Sequence, residues 1–533
     1  MKILLTSEFT GLKTTGYSMY YGAIAQALHN GGHKVIELAS YGDNNNPEHV
    51  EYANTCPWEV YLNIPLNSDE RSKEAYEERE KATHDSKFGS WQYEQVCLSE
   101  FPDTVISIRD YWYDKFIIDS PLSKYMNVIL SPTVDTMPQK DNWLDGFAKA
   151  DYISSYNQWS EDWLREQYGQ PNIVGHIPPA PNPQYKPMDK NLCREKLGLP
   201  KDKKIVLTVM RNQGRKKYPE LFEAISKLND KNIVLYCHTH HQDRGWELTK
   251  LANQFGIANQ VYFSYKCKSC GKIGADKFNI SKKCKKCGAE MAICAVHDGA
   301  EIEDMKHIYN SCDLYVQYAN SEGFGIPVIE AAACGKRVLS INYSAQEDII
   351  PKINGIALKY TRLEREISTS CNRAIPDIGH LVQLLEDSNT WEYDPQEVLN
   401  KLNENYSWEK TGQMWLDLVN SIKPKNTWRK DFLTKDPVEY GKLKDLPNAS
   451  FVKNCIIHVA RKPELLGTYI HAEILNHLEI GSYIPEDKFT FQKSNFMVPI
   501  TKESVYNRLR RIYETELSWE KERLKRLRSL NRM

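Results

Sequence analysis

Long apolar runs are missing from this chain. Nothing approaches the roughly 18 consecutive apolar residues of a membrane-spanning helix, and the apolar opening at residues 1–7 is too short for the core of a secretion signal. No transmembrane segment and a cytoplasmic protein are therefore expected. An excess of charge of either sign is missing too. The 69 Lys and Arg against 70 Asp and Glu leave a net charge of −1, so any basic surface must be local. A disulfide framework is also absent: of 13 cysteines, four fall into a metal-type array and the others are scattered. What is present is ordinary for a soluble enzyme, with 41% hydrophobic and 26% charged residues over 533 positions. That length leaves room for about three folded units.

The opening reads as strand over 2–7, helix over 17–30 with Tyr20, Ala23, Ile24, Ala27 and Leu28 at helical spacing, and strand over 34–39. Short apolar runs at 104–109, 127–132 and 152–156 continue the alternation, which predicts a parallel, doubly wound sheet. The charged stretch 68–81 reads as a solvated helix or loop. A Pro-rich hinge at 177–183 precedes a second series, with strands at 205–210, 233–238, 261–265, 314–318 and 337–342. The expected fold is α/β: two Rossmann-like, doubly wound domains at 1–180 and 184–422 facing a central cleft, where open α/β sheets bind ligands. A region at 423–533 leaves this rhythm. Its end, 501–533, is basic with partly helical apolar spacing, suited to DNA, an anionic membrane or a partner helix, or else a plain surface helix.

The segment from Ser321 to Gly335 carries the most chemistry. It follows a strand and opens a helix, with Pro327 near the first turn. Gly323 and Gly325, on either side of Phe324, let the backbone approach a ligand, and the helix amino end favours a diphosphate or sugar oxygen. Glu322 lies before the turn and Glu330 about one turn inside the helix, carboxylates suited to vicinal hydroxyls. The plainer reading is a generic strand–turn–helix with a capping acid. Arg109-Asp110 and Asp135 follow strands, so they are expected to line the cleft, and Asp135 is read either as an acceptor contact or as a turn cap.

At this motif the chain resembles the family-4 retaining glycosyltransferases of the glycosyltransferase-B fold, whose signature is two glutamates separated by seven residues. The stretch from Arg194 through the strand at 205–210 to Ala224 resembles the start of that family's donor domain. The resemblance assigns Arg211 and Lys216 to the donor diphosphate, with Arg215 and Lys217 leaving the register open by one. It implies catalytic roles for Arg211, Lys216, Glu322 and Asp135, and donor contacts at Gly16, Gly323, Phe324, Gly325 and Glu330. Tyr17, Arg109 and Asp110 fall on the acceptor side. Thr15-Gly16-Tyr17-Ser18 matches the glycine-rich loop beside the phosphates, Asp135 stands about where many members have a histidine, and Trp408 to Trp415 resembles the helix that crosses back to the first domain. The implied donor is a nucleotide-diphosphate sugar and the implied chemistry needs no catalytic metal. In keeping with that, the chain has no Asp-x-Asp pair, the chelating motif of the other main glycosyltransferase fold.

Cys267, Cys270, Cys284 and Cys287 form a C-x2-C…C-x2-C array, the pattern of a closed, structural Zn²⁺ site, within an insertion at 265–291. Lysines outnumber acids there, with eight Lys between Lys266 and Glu290 against Asp276 and Glu290. The insertion reads as a metal staple on a long loop or as a ribbon contacting nucleic acid. The segment from Cys237 to His241 reads as a strand-end loop facing the cleft, or else as a metal site. With its zinc insert, the chain also resembles glycosyltransferases of large tailed phages, some of which glycosylate their own DNA. Two basic modules flanking the catalytic halves point to a hydroxymethylated base in DNA as acceptor. The alternatives are a glycan, lipid or protein acceptor with peripheral membrane contact, and, in another class, a zinc-ribbon nucleic-acid-binding protein on an inactive scaffold.

Overall fold

The computed structural model describes residues 1–12, 16–169, 172–295, 299–425, 490–493 and 496–499. Its first sheet holds β1 (Lys2–Glu8), β2 (Lys34–Asp43), β3 (Glu59–Ile64), β4 (Thr104–Ile108), β5 (Asn127–Ser131), β6 (Tyr152–Ser155) and β7 (Ile173–His176), in the order β3-β2-β1-β4-β5-β6-β7. Every neighbouring pair is parallel. The strands read as unbroken apolar runs because helices cover both faces; β4 and β5 are buried at every position.

The second sheet is built from β8 (Lys204–Thr208), β9 (Ile233–Cys237), β10 (Val261–Cys267), β11 (Ile273–Lys277), β12 (Met291–Ile293), β13 (Leu314–Gln317), β14 (Arg337–Ile341) and β15 (Ile356–Leu358). Its order is β11-β10-β9-β8-β13-β14-β15, with β12 also on β10. In each sheet the order reverses beside the first strand, and such switch points are where ligands settle at the carboxyl ends.

The cysteine insertion is more than a loop. β10 runs past the parallel core, and β11 and β12 pair antiparallel with its end, so the ribbon is a continuation of the sheet. The charged stretch is the helix Glu70–Thr83, capped by Asp69, with none of its described side chains fully buried. A hairpin that the sequence did not announce, β16 (Tyr360–Arg365) with β17 (Asn372–Pro376), follows the second sheet.

The helix Trp408–Ser421 returns to the first domain. Trp415 is buried and donates through Nε1 to the Tyr20 hydroxyl at 3.1 Å, on the helix Gly16–Asn30. Gly412 permits this approach, since a Cβ there would lie 2.9 Å from the Ala27 Cβ. Beyond residue 425 the described residues form one hairpin, β18 (Thr490–Lys493) with β19 (Phe496–Pro499). The basic helix expected at 501–533 lies outside the described residues, as do Thr15 and the rest of 13–15. No helix among the described residues is long and apolar enough to cross a membrane.

Candidate functional site

The site grows from the turns that follow β8 and β13, neighbours at the centre of the second sheet. The turn after β8 is laid onto the turn after β13: Lys217 N donates to Tyr318 O at 2.9 Å and Asn320 N to Arg215 O at 3.0 Å. That crossing brings Arg215 and Lys216 onto Glu322. Lys216 Nζ and Gln317 Nε2 both bond Glu322 Oε1, while Arg215 Nη1 reaches Oε2 at 3.0 Å. From the loop after β14, Ser344 Oγ accepts from Glu322 N at 2.9 Å, and Ser344 holds the left-handed φ of 59°.

Burial pushes the Glu322 carboxyl up, but the Lys216 and Arg215 charges outweigh it and hold the group at about 2. Burial and the neighbouring Arg215 bring Lys216 down to about 8, against the pull of Glu322 and Asp135. Two cations thus face one carboxylate, and the excess positive charge sits beside the amino end of the helix Ile326–Ala333.

Gly323 and Gly325 have separate reasons. Gly325 adopts φ 89°, open to glycine, as the turn enters the helix. A Cβ on Gly323 would lie 2.1 Å from Thr133 Cγ2, so the first domain closes directly on it. Asn157 Nδ2 donates to Gly323 O at 2.7 Å from the same side. Gly16 abuts the start of the helix, where its Cβ would lie 2.8 Å from Ile326 Cδ1. Phe324 points into the core, edge-on to Tyr406 at 5.7 Å. Glu330 accepts from the Tyr309 hydroxyl at 2.6 Å, and burial raises it to about 7.

Across the cleft, Tyr17 donates to Asp110 Oδ1 at 3.2 Å and shares a 2.6 Å bond with Thr133. Burial and the Asp135 charge raise Asp110 to about 7 against the Tyr17 hydrogen bond. Asp135 is paired at 2.8 Å with Arg373 of β17, whose guanidinium also bonds Ser321 Oγ and reaches Glu366 at 3.2 Å.

Two residues expected at the site are paired away from Glu322. Arg109 is spent inside the first domain at 2% exposure, on Asp114 at 2.6 Å, Ser40 at 2.8 Å and Phe88 O at 3.1 Å; a buried guanidinium needs such partners. Arg211 lies at the rim, paired with Asp243 at 2.6 Å, and Arg215 occupies the place beside Glu322. Sequence reasoning missed Gln317, Asn157 and Arg373. Asn157 carries a signal, since it caps the helix Gln158–Tyr168 by accepting from Ser160 N at 2.9 Å. Arg373 carries none.

The four cysteines converge. Their sulfurs lie within 4.8 Å of one another, with Cys267–Cys287 at 3.4 Å, Cys270–Cys287 at 3.6 Å and Cys270–Cys284 at 3.7 Å. A tetrahedron of Zn–S bonds of about 2.3 Å has edges of about 3.8 Å, so the donor set fits zinc. Each knuckle turns through a glycine of positive φ, Gly271 at 69° and Gly288 at 72°. The Cys270 and Ser269 amides bring the Cys267 thiol down to about 6, toward the thiolate a metal takes. Among the described residues these cysteines form the one group of three or more that could hold a metal; the loop at His240 and His241 forms none.

With this geometry, likeness to known proteins can be weighed. Residues 189–364 match the model of the family described as glycosyl transferases, group 1. No curated protein matches the chain by sequence. Among solved structures, a sucrose-phosphate synthase from Thermosynechococcus elongatus aligns with TM-score 0.56 at 16% identity, over 79% of this chain and 98% of its own. A glycosyltransferase from Rickettsia africae aligns at 0.53 and 14%, over 79% and 98%. HepE of Anabaena, in complex with UDP and glucose, aligns at 0.53 and 12%, over 79% and 100%. At these identities the likeness establishes the glycosyltransferase-B fold, two parallel-sheet domains about a cleft.

Proposed function

We propose that this chain is a retaining, metal-independent glycosyltransferase of the family-4 type. It moves a sugar from a nucleotide-diphosphate sugar to a hydroxymethylated base in DNA, in the manner of the tailed-phage enzymes it resembles. The observation that carries the reading is the convergence of Lys216 and Arg215 on buried Glu322, between a helix amino end and the opposing domain. A diphosphate entering there meets two cations and a helix dipole, so the leaving group's charge is neutralised by side chains. Arg211 joins them by exchanging Asp243 for phosphate. Glu322 then holds sugar hydroxyls and Glu330 the ribose. A neighbour that binds UDP and glucose supports a nucleotide-sugar donor here.

The acceptor oxygen attacks the anomeric carbon from the face the diphosphate leaves. The carbon–phosphate-oxygen bond breaks, the new glycosidic bond forms, and the hydroxyl proton passes to the leaving phosphate oxygen. Retention follows, and no strong base is needed; Asp110 and Asp135 orient the acceptor. Zinc, held by Cys267, Cys270, Cys284 and Cys287, supplies structure alone, since four thiolates leave no open position for chemistry. DNA as acceptor is supported by the ribbon, where Lys272, Lys285 and Lys286 have no ion-pair partner among the described residues.

The test is to incubate the protein with a panel of nucleotide sugars and DNA containing hydroxymethylated bases, weigh the nucleosides, and read the anomeric configuration of the product. A heavier nucleoside with the donor's configuration is expected. Sugar transfer to glycan, lipid or protein with DNA untouched would reassign the acceptor, and no turnover of any donor would refute the transferase.

A further inference from the structure

The carboxylates of the site lie below the surface, Glu322 buried and Asp110 half-buried. A base in an intact duplex could not bring its hydroxyl there, so an acceptor base must be unstacked. An enzyme that unstacks a base needs something at the mouth to receive the strand, and the mouth is lined in a way that catalysis does not use.

On the first-domain side, the turn directly after Asp110 sets Trp112 at the surface with 49% exposure. Trp112 lies edge-on to Tyr113 at 5.4 Å, Tyr113 lies tilted against Phe88 at 4.0 Å, and Phe88 meets Tyr41 edge-on at 5.9 Å. Tyr41 is itself unusual. An irregularity in β2 between Ala39 and Asp43 holds it at φ 63° with its ring 37% exposed, a conformation that costs a non-glycine residue and turns the ring outward. On the opposite side, the ribbon sets Phe278 against His241 at 5.2 Å, and His241 against His240 at 4.6 Å. Phe278 and the adjacent Ile280 are 42% and 87% exposed.

Two arginines join the sides. Arg244 forms a parallel bridge with Gln213, two residues from Arg211, and the two cations lie close enough to act on Tyr41 and Tyr113 of the first domain. The carboxylates within reach are Glu8, which faces Tyr41, and Asp243, which is already tied to Arg211. Ring faces alternating with guanidinium groups match a polymer of flat bases and phosphates. A neutral glycan would use the rings but offer the guanidinium groups no charge.

Resting on the DNA-acceptor reading, we infer that the cleft mouth is a stacking surface for a single-stranded stretch of nucleic acid. Trp112 and Tyr41 receive bases on one side, Phe278 of the zinc ribbon on the other, and Arg244 neutralises the phosphate between them. The ribbon is thereby part of the acceptor site, and its orientation toward His241 is what makes it so.

The experiment uses the full chain with a fluorescent single-stranded oligodeoxynucleotide carrying 5-hydroxymethylcytosine, the same sequence as duplex, and a malto-oligosaccharide. The single strand should bind tightest. Trp112→Ala and Phe278→Ala should each weaken it about 10-fold, within the range for loss of one stacked base. Arg244→Gln should flatten the salt dependence by about one unit of log–log slope. Melting temperature and donor hydrolysis without acceptor should stay at wild-type values, because both rings are exposed and neither touches the donor turn. Equal or tighter binding of duplex, wild-type affinity in both aromatic variants, or binding of the oligosaccharide in place of the strand would overturn the inference. Strand binding by a protein that turns over no nucleotide sugar would refute the transferase reading and leave this surface standing.

Discussion

Glu322, Lys216 and Arg215 are held together by burial that none of them would tolerate alone. Replacing Glu322 by Ala leaves two cations without their counter-charge, which for a buried pair costs roughly 3–5 kcal/mol. A clear fall in melting temperature is expected alongside a loss of turnover of about 100-fold or more. Because the folded-state carboxyl lies near 2, below its ordinary 4.5, its stabilisation is complete above pH 4.5 and is lost as pH falls toward 2. The gap in melting temperature between wild type and Glu322→Ala should therefore close in acid; a gap independent of pH would mean that the charge is not what stabilises the site. Lys216 gives the complementary test. Since it titrates near 8 and is cationic below, affinity for a nucleoside diphosphate should decline as pH rises through about 8. Lys216→Arg should flatten that decline, as read by calorimetry with UDP. Glu322 and Lys216 were legible in the sequence because the glutamate spacing and the basic cluster are local patterns. The choice of Arg215 over Arg211 was not, because it depends on how one turn is laid across another from a neighbouring strand.

At the scale of elements, alternating apolar runs revealed the strands buried on both faces, such as β4 and β5. β3 and β7 escaped because each is short and only partly buried, so neither has an apolar run to show. The β16–β17 hairpin escaped because every residue of β16 is exposed. The ribbon was legible from its cysteine spacing, but its fusion to β10 was not, since antiparallel pairing beyond a parallel edge leaves no periodic trace. That fusion has a consequence for metal removal. One zinc per chain is expected by mass spectrometry, resistant to brief chelation and lost on thiol modification. Cys267→Ser should lower the melting temperature and raise amide exchange over 261–293, while exchange in β1 and β4 stays unchanged. Unaltered protection at β11 and β12 in the metal-free protein would show that strand pairing suffices without zinc.

At the scale of the whole molecule, the two domains meet in two chemically different ways. Behind the cleft, the helix Trp408–Ser421 is close-packed on the helix Gly16–Asn30, an apolar contact that turns without opening. At the front, the contact is polar. Arg373 pairs with Asp135, Asn372 N donates to Met137 O at 2.9 Å, and Cys371 Sγ to Pro138 O at 2.8 Å. The β17 strand is fixed to the donor side as well, through Ala374 N to Asn320 O at 3.1 Å, two residues before Glu322. Apolar packing at the hinge and hydrogen bonds at the front form an arrangement that can close and reopen, because the front bonds exchange readily for water. Arg373→Ala removes the ion pair of the hairpin contact and leaves Asp135 facing Asp110, a carboxylate already raised by burial and by that neighbour. The radius of gyration from small-angle scattering should then increase in the nucleotide-free protein and, on the proposed donor site, return toward the wild-type value with UDP. Turnover with acceptor should fall roughly 10-fold, about one charged hydrogen bond's worth, with donor hydrolysis much less affected. If scattering and both rates match the wild type, the Arg373–Asp135 pair does not hold the cleft closed, and closure rests on other contacts such as Asn157 and Thr133 against Gly323.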